Sequence, residues 1–526
     1  MDNGSRKNST RRFVTSTIYG MNTLNWQQVA ALNDPSIHKP AADIRLLPEK
    51  VLQFGTGILL RALPDYFIDK ANRQQLFNGR IVVVKSTPGH IPAAFQRQDH
   101  LYTLLIQGNQ PQALPGEEPV ICAAISRVLA AHEDWDLVLA CATDPNIRII
   151  ISNTTEAGIR YEPETITQHP PASYPARLLA WLYHRFCYFK GNVTAGMVII
   201  PTELVPENGT LLKKILLDLA AFNKMSPAFL DWLQEHNNCC NSLVDRIVPG
   251  TPHAPARLLF EQRYGYKDEL AVITEQYALW AIEGDDRIRE ILSFHRADER
   301  IIITPDIEIY RVLKLYLLNG THILCCGLAL LSGLSTVQEA MEDPVFSHYL
   351  QALMYEEIMP AIPYQLRAHV AAHFIENILL RFRNPHIRHA WIDITRQYTR
   401  KLSMRVVPVL LQYYSQFKTP PARIALGIAA WIAWMGVTEK KEGRYIGQYQ
   451  GLDYEIMDEN AEWFYNNRHR KDMPEYITGI LANDKWWGAN LYILPGLPEK
   501  VTQYYLHLLR NEAGALLRDI AVDREK

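Results

Sequence analysis

Val51-Leu-Gln-Phe-Gly-Thr-Gly-Ile-Leu-Leu-Arg-Ala62 decides the fold of the first half of this chain. Residues 51–54 read as a buried strand that runs straight into Gly55-x-Gly57, and a helical pattern over 58–72 begins at once. Strand, glycine turn and helix in direct succession bring backbone N–H groups and the positive end of a helix to a pyrophosphate. The third glycine of the dinucleotide fingerprint is replaced by Leu60, so the argument rests on context. Residues 81–84, 147–151, 197–200 and 301–303 also read as buried strands, with helical stretches over 175–189 and 211–223 between some of them. Near-continuous apolar strands suit a parallel sheet covered on both faces, and strand–helix alternation implies a doubly wound α/β domain.

Past residue 305 the strand signal fades. Long helical patterns follow over 309–331, 345–359, 364–381, 424–435 and 500–517. Ser335-Thr-Val-Gln338 reads as a capping box, and Pro363 and Pro420 precede helical runs. The expected organisation is α/β plus all-α. Residues 1–20 form a polar, basic, disordered extension, 21–304 a Rossmann-like dinucleotide-binding domain, and 305–526 a helical substrate and catalytic domain.

Bulk properties exclude several classes. The 526 residues are 48% hydrophobic and 21% charged, as in ordinary globular proteins. A net charge of −2 argues against a nucleic-acid partner. No apolar run reaches the roughly 18 residues of a transmembrane helix, and the nearest candidate, 424–435, reads as a core helix. The seven cysteines contain no C-x-x-C pair, which suits reduced thiols in a cytoplasm and no zinc ribbon.

The chemistry-bearing residues lie in Tyr310-Arg-Val-Leu-Lys-Leu-Tyr-Leu-Leu-Asn-Gly-Thr-His322. At about 100° per residue, Asn319 falls roughly 140° and His322 roughly 80° from Lys314, so all three share one side of a helix. Together they can transfer a proton and polarise a carbonyl oxygen. A carboxylate-bearing substrate would need cations, and Arg383, Arg388, Lys401 and Arg405 form a basic cluster from which Arg388 and Lys401 are chosen as anchors. His386 and His389 read as bystanders. His369-x-x-x-His373, with Glu376 one turn on, has helical ligand spacing but lacks the glutamate of the metalloprotease motif. No metal is therefore assigned.

Lys314-x4-Asn319-x2-His322 resembles the signature of the zinc-independent, long-chain mannitol dehydrogenase family. Gly55-x-Gly57-x3-Arg61-Ala62 resembles that family's opening motif. Ser152-Asn-Thr-Thr-Glu-Ala-Gly-Ile159, Ser173-Tyr-Pro-Ala-Arg-Leu178, Ile200-Pro-Thr-Glu-Leu204, Ser242-Leu-Val-Asp-Arg-Ile-Val248 and Arg381-Phe-Arg-Asn-Pro385 look like its uronate branch, the tagaturonate reductases. The segments keep the family's order from about residue 45 to 430, most of the chain.

The resemblance implies a two-domain enzyme that uses NAD and no metal and interconverts the keto-uronate D-tagaturonate and the aldonate D-altronate in hexuronate catabolism. It implies Lys314 as catalytic acid and base, with Asn319 and His322 at the reacting oxygen and Asp245 near the substrate. Phe54, Gly55, Thr56, Gly57, Arg61, Asn153, Thr155 and Glu156 are the implied cofactor residues. Lys85, at the end of the second strand where an acid would select NAD, leaves NADP open. Two departures stand out. Leu204 occupies the place of an asparagine that holds the oxyanion in mannitol dehydrogenases, and Arg311 the place of their relay glutamate. The alternatives are a fructuronate reductase or mannitol 2-dehydrogenase of the same family, or a non-catalytic dinucleotide-binding redox sensor.

Overall fold

The computed structural model describes residues 21–108, 117–154, 158–385, 389–470 and 472–522. The basic extension over 1–20, Thr155, Glu156, His386 and Arg388 thus lie outside the described residues. The chain divides after Ile307 into two compact units.

The first unit is organised by six strands: β1 (Glu49–Phe54), β2 (Arg80–Lys85), β3 (Ile125–Ala130), β4 (Ile149–Ser152), β5 (Val198–Pro201) and β6 (Asn238–Cys239). They form one parallel sheet in the order β3-β2-β1-β4-β5-β6. Successive side chains of a strand face opposite ways. Val51, Ile81, Val83, Ile149 and Ile151 accordingly enter one core, and Leu52, Phe54, Val82, Val84 and Ile150 enter another on the opposite face. Burial on both sides is why these strands read as unbroken apolar runs. From β1 the chain runs outward through β2 and β3, then resumes on the other side at β4. The crevice outside the ends of β1 and β4 is therefore the switch point where doubly wound sheets bind ligands.

Two expectations change here, and one small sheet is new. Ile301–Thr304 is a strand but not part of this sheet; it pairs in parallel with Leu279–Glu283, which pairs antiparallel with Ser242–Asp245. Another small sheet joins Tyr102–Gln107 to Val272–Glu275 and Glu117–Cys122. The helix expected over 58–72 is two helices, α1 (Ile58–Ala62) and α2 (Pro64–Arg73). Pro64 pushes Leu63 out of helical geometry, to φ −127° and ψ −80°.

The second unit is mainly helical. It opens with α3 (Glu308–Leu313), a π-helical turn over Lys314–Gly320, and α4 (Thr321–Leu331). Further on lie α5 (Ala368–Phe382), α6 (Tyr398–Arg405) and α7 (Ala422–Trp434). Glycines let α4 and α7 approach closely. A Cβ on Gly427 would stand 2.9 Å from the Leu324 carbonyl oxygen, and one on Gly327 would stand 3.1 Å from that of Ala430. The 24-residue run Glu308–Leu331 is long and apolar enough to cross a membrane, contrary to the sequence reading, but 78% of its most apolar window is buried. It is a core helix.

The capping box forms one residue later than expected, between Thr336 and Glu339. The helix expected over 500–517 breaks into Leu497–Leu509 and Ala513–Val522, with Asn511 left-handed at φ 61°. A three-stranded antiparallel sheet, Val437–Lys441, Arg444–Tyr449 and Leu452–Glu455, escaped the sequence reading. Its turns are Glu442-Gly443 and Gln450-Gly451, all four residues with positive φ, as two-residue hairpins require. Glycine after a polar residue was the available signal.

Candidate active site

In the first unit the candidate site starts at the glycine turn. Gly55 has φ 129°, and a Cβ there would stand 3.0 Å from the Asn153 carbonyl oxygen and 2.9 Å from Leu60 Cδ1. Only glycine fits. Gly57 has ordinary φ, and nothing lies within 4 Å of its Cβ position, so the backbone there is open to a ligand. Asn153, just past β4, donates its backbone N–H to the Phe54 carbonyl at 3.1 Å. Its side-chain amide donates to the carbonyl and hydroxyl of Thr202 at 3.1 and 3.0 Å.

Glu203, which is buried, completes the frame. Its carboxylate accepts from Ser152 Oγ at 3.1 Å, the Thr154 N–H at 2.8 Å and Thr154 Oγ1 at 3.0 Å. The Thr202-Glu203 pair thus holds the Ser152-Asn-Thr154 turn against the glycine turn. Sequence reasoning missed this because the two motifs meet only through β4–β5 pairing. An open backbone at the switch point of a parallel sheet fits the pyrophosphate of a dinucleotide.

Two expected cofactor residues are placed differently. The Phe54 side chain is in the core against Tyr174, so only its backbone borders the crevice. Arg61 is turned into the interior. It donates to the Leu270 carbonyl and lies 5.6 Å from the Tyr102 ring centroid, while its own carbonyl accepts from Tyr102 Oη at 2.7 Å. This guanidinium ties α1 to the small sheet instead of facing the glycine turn. Thr56 is half-buried beside the open Gly57. Asp245 ends its strand and is buried. Arg246 is engaged by the carbonyls of Glu275 and Ala62. Leu204 is 58% exposed.

In the second unit Lys314 and Asn319 sit on the π-helical turn, and His322 follows in the first turn of α4. The hydrogen bonds of the π turn run from i to i+5. Residues five apart, such as Lys314 and Asn319, therefore stack as residues four apart do in an α-helix. The sequence reading placed Asn319 roughly 140° from Lys314; the π turn closes that angle. Lys314 and Asn319 are half-buried and His322 is 8% exposed.

His322 is clamped by rings. Phe382 on α5 stacks on it at 4.6 Å and 21°, His389 meets it edge-on at 4.9 Å, and Trp391 stands 5.9 Å away. Its Nε2 is buried with no hydrogen-bond partner. Burial, with repulsion from His389, Arg381, Arg405 and Lys401, holds the imidazole well below its ordinary pKa, so it is neutral. A neutral ring carries one N–H and one lone pair and can donate to a substrate oxygen without a charge of its own.

Those cations define the surroundings. Lys401 and Arg405 are four apart on α6, and the Arg405 carbonyl lies 3.2 Å from the Cβ position of Gly320 on the π turn. Lys401 donates to the Ile394 carbonyl at 3.1 Å. Arg405 is half-buried, and its side chain makes no hydrogen bond or ion pair among the described residues. Burial lowers the pKa of both, Arg405 adding to the effect on Lys401. The expected cluster is thus revised. Arg381, not the exposed Arg383, is buried beside His322, and His389 is a neighbour of His322 rather than a bystander. Arg311 is exposed and pairs with Glu308 at 2.6 Å. His373 is exposed, 3.7 Å from Glu376.

A parallel sheet with a dinucleotide-type crevice, followed by a helical unit carrying Lys and Asn on a π turn and a neutral His at the start of the next helix, defines a two-domain dehydrogenase architecture. The chain belongs to the mannitol dehydrogenase family. Residues 49–293 match the mannitol dehydrogenase Rossmann domain and residues 306–509 the mannitol dehydrogenase C-terminal domain. It is 35% identical over 459 residues to the altronate oxidoreductase of Pectobacterium carotovorum subsp. carotovorum (strain PC1), covering 87% of this chain and 93% of that protein. It is 35% identical over 463 residues to that of Bacillus subtilis (strain 168), covering 88% and 93%. Among solved structures, the Pseudomonas fluorescens mannitol 2-dehydrogenase complex with NAD and D-mannitol superposes with a TM-score of 0.67 at 22% identity, covering 95% and 100% of the two chains. A substrate-free D-sorbitol dehydrogenase superposes with 0.75 at 20% identity, covering 94% and 100%. These two likenesses concern the fold.

Proposed function

We propose that this protein is an NAD-dependent oxidoreductase that interconverts D-tagaturonate and D-altronate, with Lys314 as the proton donor and acceptor. The observation that carries the reading is the buried, neutral and unpartnered Nε2 of His322 within a surround of Arg381, Lys401 and Arg405. A polar atom in that position suits a substrate oxygen, and the cations suit an anionic substrate. The altronate oxidoreductases to which the chain is 35% identical support the same substrate class.

When bound, the nicotinamide dinucleotide supplies a hydride to the C3 carbonyl carbon. Lys314 delivers a proton to the C3 oxygen as the carbonyl is reduced and recovers it in the reverse direction. Asn319 and His322 hydrogen-bond that oxygen as negative charge builds on it. In this reading the oxygen relies on these three side chains. Lys401 and Arg405 bind the carboxylate, orienting C3 through contacts remote from the reacting atoms. Gly55, Gly57 and the Asn153 turn would hold the dinucleotide's pyrophosphate.

NAD is preferred over NADP because the Lys85 ammonium is already held by its own loop. It donates to the carbonyls of Thr87, Pro88 and Gly89 at 2.6, 2.9 and 3.0 Å. The test is turnover with NADH on tagaturonate, fructuronate and the neutral ketoses fructose and tagatose, for the native protein and Lys314→Ala. Efficiency on tagaturonate at least about ten-fold above a neutral ketose is expected from one charge-assisted bond. Lys314→Ala should lose nearly all turnover while NADH still binds. Comparable efficiency on the neutral ketose, or more than a tenth of native turnover in the variant, refutes the reading.

A further inference from the structure

A cavity of about 540 Å³ opens in the first unit, lined by Arg148, Arg185, Arg287, His236, Asn192 and Thr194 among others. Its place follows from the sheet. Arg148 immediately precedes β4, and Thr194 and His236 lie just before β5 and β6. The strands are parallel and the glycine turn follows the end of β1, so this cavity sits at the opposite end of the sheet from the dinucleotide crevice. Nothing in the proposed reaction uses it.

The lining is cationic and contains no carboxylate. Arg185 is 1% exposed and is held by the carbonyls of Ala195 at 2.7 Å and of Ala142 and Asp144 at 3.0 Å. Burial and, less strongly, repulsion from Arg148 push its pKa down to about 10, against the pull of Asp144. Arg148 makes no side-chain hydrogen bond or ion pair among the described residues, and its Nε is enclosed without a partner. Exposed Arg287 likewise has no partner among them. Asn192 and Thr194 add an amide and a hydroxyl at the rim. Like charges gathered around a concavity, with an enclosed donor left open, cost stability unless an anion meets them. The volume is that of a small-molecule pocket, and the planar guanidinium fork matches phosphate and carboxylate oxygens.

We propose that this cavity is a second ligand site, for a small polyanion whose clustered phosphate or carboxylate oxygens bridge Arg148 and Arg287. It is independent of the tagaturonate reading and of the nucleotide crevice.

The test is isothermal titration of the full-length protein with inorganic pyrophosphate and, separately, citrate, at constant ionic strength. Saturating NADH keeps pyrophosphate out of the nucleotide crevice. One saturable site per chain is expected. It should weaken at least about ten-fold in Arg148→Gln and in Arg287→Gln, since each removes a charge-assisted donor. Arg287 is exposed, so its variant keeps the fold even if Arg148→Gln does not, and undiminished NADH binding checks this. Saturation by pyrophosphate alone assigns phosphoryl ligands, and by citrate alone polycarboxylates; either supports the site. No saturable binding of either probe, or equal affinity in Arg287→Gln, overturns it.

Discussion

Replacing His322 with Phe should make the protein a poor enzyme and a slightly more stable one. His322 is 8% exposed, and its Nε2 has no partner. A buried polar atom left unpaired costs about 1–3 kcal/mol. Phenylalanine keeps the stack on Phe382 at 4.6 Å and the edge contact with Trp391 at 5.9 Å while removing that atom. Its larger ring offsets part of the gain, by about 1 kcal/mol. The net expectation is a stability change from zero to about +2 kcal/mol, or a melting temperature up to a few degrees higher. Activity should move the other way. Losing one oxyanion donor lowers turnover by about 10²–10³-fold. Because burial, helped by the surrounding cations, keeps the imidazole neutral, the native pH–rate profile should carry no His322 step between about pH 6 and 8. The assays are thermal unfolding and turnover with NADH and tagaturonate. A variant several degrees less stable, or one retaining more than a tenth of native turnover, would show that His322 is a packing residue and refute the reasoning.

Three further outcomes are expected. Lys401→Ala and Arg405→Ala should each reduce efficiency on the uronate by about ten- to hundred-fold and leave the slow reaction with neutral ketoses nearly unchanged; equal losses on both substrates would remove them from carboxylate binding. NADH should outperform NADPH, and Lys85→Ala should leave that ratio unaltered, because the ammonium is engaged by Thr87, Pro88 and Gly89; an efficiency higher with NADPH would refute this. Asp65 is fully buried, and burial raises its carboxyl from 3.8 to about 8. A raised acid contributes stability that is full below about pH 4 and is lost as pH climbs to about 8. Asp65→Asn should therefore gain on the native protein across that window, by several kcal/mol at most, as read from urea unfolding at successive pH values; a constant difference would contradict the assignment.

The sequence by itself determined the α/β sheet and the helical character that follows it, because both are written in local pattern. β1, β2, β4 and β5 are short and apolar on both faces, and the Gly55-x-Gly57 turn admits only glycine at its first position. It also placed Lys314, Asn319 and His322 on one helix. Periodicity alone could not find the π turn, since i to i+5 bonding leaves no composition signature. The small sheets of the first unit depend on pairings far apart in sequence, between Leu104 and Val272 for example. Arg61 was assigned by motif to the cofactor, yet a buried guanidinium goes to whichever carbonyl the fold offers, here that of Leu270. Glu203 as brace of the Ser152-Asn-Thr154 turn, Arg381 rather than Arg383 beside His322, and the open Nε2 of His322 were likewise decided only in three dimensions. Hydrogen-bond satisfaction and burial are properties of the assembled chain, and a residue's neighbours in sequence do not fix them.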